Sequence, residues 1–214
     1  MLTVFGRRSS LNVQKVLWAV GELGLAHRHV DAGGSAGGLD TPEFLAMNPN
    51  GRVPVIDDAG AAIWESQAIV RYLAAKYGSG TLWREDPAER SLADRWMDWA
   101  QATWQPDFMS LFWGYWRTPE RERHLERIER ARAACASHLA VADGHLAKHE
   151  FVAGRRFGMG DIPLGTALYR YFEMGLPTPE LPHLRAWYAR LCERAPYRDH
   201  VMRSFEDLRG RLEF

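Results

Sequence analysis

Asn48-Pro49-Asn50-Gly51-Arg52-Val53-Pro54-Val55, followed eleven residues after Pro54 by Glu65-Ser66-Gln67-Ala68-Ile69-Val70-Arg71-Tyr72-Leu73, is the stretch that decides the fold. Asn50-Gly51 makes a turn, and Pro54 then stands where a strand should begin. A proline there removes a ladder donor just where pairing starts. Two arrangements accommodate it. One is a trans proline on an edge strand, the commoner case, since only about 5% of X–Pro bonds are cis. The other is a cis Val53–Pro54 bond that points the Val53 N–H and C=O outward, ready to pair with an extended, peptide-like ligand. Val53 to Ile56 and Ala61 to Trp64 read as two strands joined by Asp57-Asp58-Ala59-Gly60, which is hairpin material. Ser66 is placed to cap a helix whose Ile69, Val70, Leu73 and Tyr77 share one face, with Gly78 as its stop. A helix N-terminus with a hydroxyl and free amides also holds a carboxylate, and Glu65 beside it suits an ammonium. An anion site adjoining a cation site fits the α-amino acid end of a ligand.

Upstream, Leu2 to Phe5 is a short apolar run of strand formers. After the polar break Gly6 to Ser10, Val13, Val16, Leu17, Val20 and Leu23 repeat at helical spacing up to Gly24. His29 to Asp31 resembles a second strand, Gly33 to Gly38 is a glycine-rich loop, and a short helix follows around Pro42 to Met47. The order β-α-β-α-β-β-α defines a small α/β domain. Its first loop, Arg7-Arg8-Ser9-Ser10-Leu11-Asn12, runs from a strand's carboxyl end into a helix. Hydroxyls and N–H groups there sit at the positive end of the helix dipole, an environment that suits a thiolate. Ser10 and Asn12 are equally ordinary helix caps.

Downstream of Asp86 the pattern is helical to the end. Asp86-Pro87 opens a long helix through Trp96, Trp99 and Ala100 to about Trp113, with a kink expected at Pro106. A second runs from Glu120 to Ala147, its RERHLERIERAR stretch reading as a solvated face, and shorter helices are expected over 162–174, 184–193 and 197–208. Ser79 to Pro87 is the natural linker, which divides the chain into a first domain over 1–80, a connection over 81–87 and a helical domain over 88–214.

Composition narrows the function. Lys+Arg and Asp+Glu are 27 each in 214 residues, so no net positive charge draws this chain to a polyanion, and no nucleic acid partner is expected. No apolar stretch approaches the length of a membrane span, and MLTVFGRRSS, with no long apolar core before its charges, is expected to be neither a signal peptide nor a membrane anchor. Cys135 and Cys192, without metal-ligand spacing, read as reduced thiols of a cytoplasmic protein. His138, His145 and His149 share a helical stripe, but without a glutamate in the HExxH manner they point to no metal site. The nine tryptophans suggest aromatic surfaces for helix packing, ligand binding or both.

Taken together, the Arg7–Asn12 loop, NPNGRVPV and ESQAIVRYL followed by an all-helical half resemble the cytosolic glutathione transferases over nearly the whole chain. The loop is most similar to bacterial serine-type members of theta or nu character, with Ser/Thr-x-Asn. The resemblance implies a thioredoxin-like glutathione-binding domain followed by an all-helical domain, and conjugation of glutathione to small hydrophobic electrophiles, with glutathione as cosubstrate and no metal. It makes Ser10 the hydrogen-bond donor to the thiolate with Asn12 as helper or substitute. Val53 pairs through its backbone with the cysteinyl unit, Pro54 is the cis proline, Glu65 and Ser66 take the γ-glutamyl end, and Arg52 reaches the glycyl carboxylate. The electrophile pocket falls on the aromatic run 108–116, with Phe108, Phe112 and Tyr115 as its expected lining, although such residues also pack between helices. The family usually carries Ser or Thr three residues before Asp161, where this chain has Gly158; glycine also serves as an N-cap, so Asp161 is expected to be structural. A homodimer and a role in detoxification are family expectations, with Tyr72, Trp96 and Trp99 as interface aromatics. Two rival functions stand beside conjugation: glutathione-dependent disulfide or peroxide reduction, and a non-catalytic binding scaffold.

Overall fold

The computed structural model describes residues 1–213. Its first half forms β1 (Leu2–Phe5), α1 (Leu11–Glu22), β2 (His27–Val30), α2 (Pro42–Met47), β3 (Val55–Asp58), β4 (Ala61–Trp64) and α3 (Ser66–Tyr77). The sheet order is β2-β1-β3-β4, with β1 parallel to β2 and antiparallel to β3, and β3 antiparallel to β4. Strand alternation divides the side chains between two faces. Val4 and Ile56 enter the main core with α1 and α3, whereas Val55 joins Phe44 of α2 and Ala32 on the other face, with Phe5 packed alongside. This is a thioredoxin-like arrangement. β3 begins at Val55 rather than at the expected Val53. The Val53–Pro54 bond is cis, so the chain bends there and Val53 precedes the ladder. β2 begins at His27, two residues earlier than expected.

The second half is helical: α4 (Pro87–Trp99), α5 (Gln105–Leu111), α6 (Leu125–Leu146), α7 (Asp161–Glu173), α8 (Pro182–Cys192) and α9 (Ala195–His200). α4 does not simply kink at Pro106. A π-helical turn over Ala100–Trp104 widens the helix directly ahead of Pro106, where a proline lacks an N–H and its ring crowds the preceding turn. α6 starts at Leu125, not Glu120. The preceding residues bury nothing, Ile128 is the first side chain of the helix in the core, and an unanchored helical turn has little to hold it. The final helix stops at His200 rather than Leu208. The chain turns away so that Phe205 packs against Trp116 at a ring separation of 4.7 Å.

One core runs through both halves. Trp18 of α1 meets Tyr197 of α9 edge-on at 4.7 Å, and Gly165 of α7 makes room for it: a Cβ at Gly165 would stand 3.0 Å from the Trp18 ring and 2.7 Å from Leu191. Trp18 Nε1 donates to Glu22 at 2.8 Å, and Arg194 grips both Glu22 oxygens at 2.7 and 2.6 Å. At the start of α7 the buried Asp161 carboxylate accepts from Gly158 N at 2.9 Å, Val152 N at 3.0 Å and Trp187 Nε1 at 2.9 Å. Burial pushes its pKa up to about 6 against the pull of those donors. Among the described residues no helix is long and apolar enough to cross a membrane.

Candidate functional site

The loop after β1 turns at Gly6, whose φ is +141°; a side chain there would lie 2.5 Å from Val13 and 3.0 Å from Val53. Only glycine lets this loop close against Val53. Ser10 occupies the N-cap position of α1 in extended conformation, but its hydroxyl makes no cap hydrogen bond. Its backbone is held instead, with Ser10 N donating to the Arg7 carbonyl at 3.0 Å. The first turn of α1 therefore leaves a hydroxyl and unpaired N–H groups at its positive end.

Asn12 lies two residues further, in the first turn of α1, and its Oδ1 accepts from Lys15 Nζ at 3.0 Å, with Ser66 Oγ 3.5 Å away. That approach joins the loop to the start of α3. Ser66 is buried and is the first residue of the helix; the N-cap position belongs to Glu65, a correction to the reading of Ser66 as cap. Glu65 is exposed and holds φ +69°, ψ 114°, a conformation rare for a residue with a Cβ. Val53, half-buried, sits just before the cis bond with its N–H and C=O outside the sheet pairing. Arg52 is exposed, and its carbonyl accepts from Asn48 Nδ2 at 2.8 Å.

Three residues behind this surface were not singled out by sequence reasoning. Lys15 is fully buried, and its Nζ also donates to Gln105 Oε1 of α5 at 2.5 Å. Burial holds its pKa down to about 7, with Glu65 pulling the other way. Arg170 of α7 is buried as well and donates to the Ser9 carbonyl at 2.6 Å and to Gln14 Oε1 at 3.2 Å. Burial, and then the Arg7 charge, lower its pKa to about 10. A signal for Lys15 exists: it is one of three lysines beside 24 arginines, set among the apolar residues of α1. Gln105 and Arg170 carry no such mark.

The residues expected to line an electrophile pocket separate. Phe108 and Phe112 are buried in the helical core, stacked at 6.0 Å, with Trp104 over Phe108 and Phe205 against Phe112. Positions 108 and 112 are one helical turn apart and share the inward face with Leu111. Tyr115 is half-buried beneath the Arg123 guanidinium at 4.7 Å. The cavity beside Ser9, about 640 Å³, lies instead between the first domain's loops and the carboxyl-terminal tail, with Arg7, Ser35, Pro119, Leu208 and Arg211 among its walls. Its lining is charged as well as apolar. Of the helical histidines, His138 bonds Asp107 at 2.8 Å, while His145 bonds the Val152 carbonyl at 3.0 Å and stacks on His149. Among the described residues no cluster of three or more His, Cys, Asp or Glu is arranged to hold a metal ion.

The architecture is thus a thioredoxin-like domain joined to an all-helical one, with the β1–α1 loop, the cis proline and the α3 N-terminus gathered at one edge. The family model described as "Glutathione S-transferase, N-terminal domain" matches residues 4–81, and that described as "Glutathione S-transferase, C-terminal domain" matches residues 126–190. Glutathione S-transferase GstB of Escherichia coli strain K12 is 42% identical over 204 residues, covering 94% of this chain and 98% of that protein. The crystal structure of the theta class glutathione S-transferase from Xanthomonas axonopodis pv. citri with glutathione bound superposes with a TM-score of 0.91 at 51% identity, covering 95% of this chain and 98% of that one. Glutathione S-transferase 3 of Zea mays is 27% identical over 215 residues, covering 94% of this chain and 93% of that protein. The chain belongs to the glutathione S-transferase family.

Proposed function

We propose that this glutathione transferase conjugates the thiolate of glutathione to a small hydrophobic electrophile at the edge where α1, the cis proline and α3 meet. The observation that carries the reading is the approach of Asn12 to Ser66 beside a Ser10 hydroxyl that caps nothing. A thiol with a pKa of about 8.5 is only a few per cent thiolate at neutral pH. Hydrogen bonds donated by Ser10 and Asn12, with the N-terminus of α1 behind them, favour the ionised sulfur and enlarge the reactive fraction. Val53 pairs through its backbone with the cysteinyl unit beside Pro54. The free N–H groups of α3 with Ser66 take the α-carboxylate of the γ-glutamyl end, Glu65 takes its ammonium, and Arg52 faces the glycyl carboxylate. The thiol proton leaves, the sulfur forms a bond to the electrophilic carbon, and the displaced electron pair departs with a leaving group or is protonated.

The glutathione-binding part in this reading is the domain over 1–80, the helical domain over 88–214 supplies the electrophile side, and residues 81–87 connect them. Within the electrophile side, Tyr115 and the apolar walls Pro119 and Leu208 are the contacts we favour; Phe108 and Phe112 act from beneath, as packing that shapes them. We take the working state to be a homodimer. Support comes from an apolar groove of about 380 Å³ between α4 and α6, where Trp96, Trp99 and His145 surround Val141, which is 59% exposed. Tyr72, by contrast, is engaged within the chain, donating to Asp58 at 2.9 Å. Free Cys135 and Cys192 suit a reducing cytoplasm and a detoxifying role there.

The test is the pKa of enzyme-bound glutathione, followed by thiolate absorbance. Ser10→Ala combined with Asn12→Ala is expected to raise it by about one to two units, since each unit is about 1.4 kcal/mol of lost preference for the anion. An unchanged value removes both residues from the mechanism.

A further inference from the structure

Behind the Ser10–Asn12 edge lies a buried charge that the transfer reaction does not itself require. Lys15 is wholly enclosed, and its ammonium has two partners drawn from opposite sides of the domain junction: Asn12 Oδ1 at 3.0 Å within α1 and Gln105 Oε1 at 2.5 Å on α5. An ammonium donates and never accepts. Both side-chain amides therefore turn their oxygens to it, and the neutral amine that its lowered pKa of about 7 allows at higher pH still carries two N–H donors, one for each oxygen. The Ser66 hydroxyl also donates toward Asn12 Oδ1, at 3.5 Å. Both of these contacts hold the Asn12 oxygen inward, which leaves the NH2, a pair of donors, for the opposite side.

We propose that Lys15 is a positioning residue: bridging Asn12 and Gln105, it locks the Asn12 amide so that a donor, and not an acceptor, faces the glutathione sulfur. The inference rests on the reading of Asn12 as a thiolate donor. A flipped asparagine would set a carbonyl oxygen against the sulfur anion and repel it. Burying an ammonium is costly, and apart from Gln14 the buried residues of α1 around position 15 are apolar, so an apolar side chain would pack there more cheaply. What an apolar residue cannot supply is a set of donors reaching two acceptors at once. Gln105 opens α5 directly after the π-helical turn Ala100–Trp104 and reaches Lys15 from there. Glu65, at the N-cap of α3, is the charge acting on Lys15 from that side.

The experiment is a double-mutant cycle between Lys15→Met and Asn12→Ala, read as the pKa of bound glutathione and as kcat against KM. Lys15→Met alone is expected to raise the thiol pKa by about one unit, lowering the thiolate about tenfold at a pH below both values. It should lower kcat by about the same factor while KM for glutathione moves less than about twofold. In the Asn12→Ala background the same substitution should add nothing, because the group it orients is gone. An unchanged pKa in Lys15→Met, or an equal shift in both backgrounds, overturns the proposal; the second result would assign Lys15 a general field and not an orienting bond. Should Lys15→Met fail to fold, Lys15→Gln, neutral but still polar, carries the same cycle. If Asn12→Ala alone leaves the thiol pKa unchanged, it is the reading of the site that fails, a result separable from the others.

Discussion

Lys15 shows how one side chain couples stability to pH. Its native pKa is held down to about 7, against an ordinary 10.5, chiefly by burial. Between those values the unfolded chain keeps a proton that the native state has released, so stability should rise with pH across that window, by at most about 1.4 kcal/mol per unit. Below about pH 7 both states are charged and the native state bears the full cost of the buried ammonium. Comparing urea midpoints of the unmodified protein and Lys15→Met from pH 6 to 10 tests this: the variant should lack the rise, and parallel curves would refute a displaced proton. At this scale the sequence was only partly legible. Ser10, Asn12, Val53, Pro54, Glu65 and Ser66 stand in short motifs whose spacing is itself the signal. Lys15 was visible only as a misplaced charge, and Arg170 not at all, because its contact with Ser9 spans 161 positions.

Among the elements, α7 depends most on a single group. Asp161 accepts three hydrogen bonds from buried donors, so Asp161→Ala leaves Val152 N–H, Gly158 N–H and the Trp187 indole without an acceptor. The expected loss is about 3 kcal/mol or more, seen as a lowered urea midpoint without loss of helix type in circular dichroism. Glycine at position 158 is compatible with this cap because the bond from that residue uses its backbone N–H, which needs no side chain. Element identities were readable from apolar period and from Pro, Gly and Asp punctuation. Their ends were less so. α6 starts where burial does, α9 ends where the chain turns to bury Phe205, and the π-helical turns before α5, over Ala100–Trp104, and after it, over Phe112–Arg117, answer to packing around Trp104, Phe108 and Phe112.

For the whole molecule, a core that passes from Val4 and Trp18 through Gly165 to Tyr197 and Trp187 ties the two domains together. They should unfold in one transition, with tryptophan fluorescence and far-ultraviolet circular dichroism superimposing in urea; two separated steps would show that the junction is weak. The groove around Val141 makes a second claim. Val141→Asp places a charge where we expect the partner, so sedimentation should report half the mass of the unmodified protein, whereas an unchanged mass would locate the dimer contact elsewhere.

The order of amino acids by itself determined the thioredoxin-like and helical halves, and it marked the loop, proline and helix start from which the proposed site is built. Those are properties of neighbours: a strand's alternation, a glycine's freedom and a helix's first turn depend on residues within one or two turns. Only the tertiary structure decided that Lys15 touches Gln105 across 90 positions, that Arg170 holds the loop at Ser9, and that Phe108 and Phe112 turn inward while charged and apolar groups line the cavity. Such contacts follow from the packing of helices against one another, and no single segment of the chain contains that information.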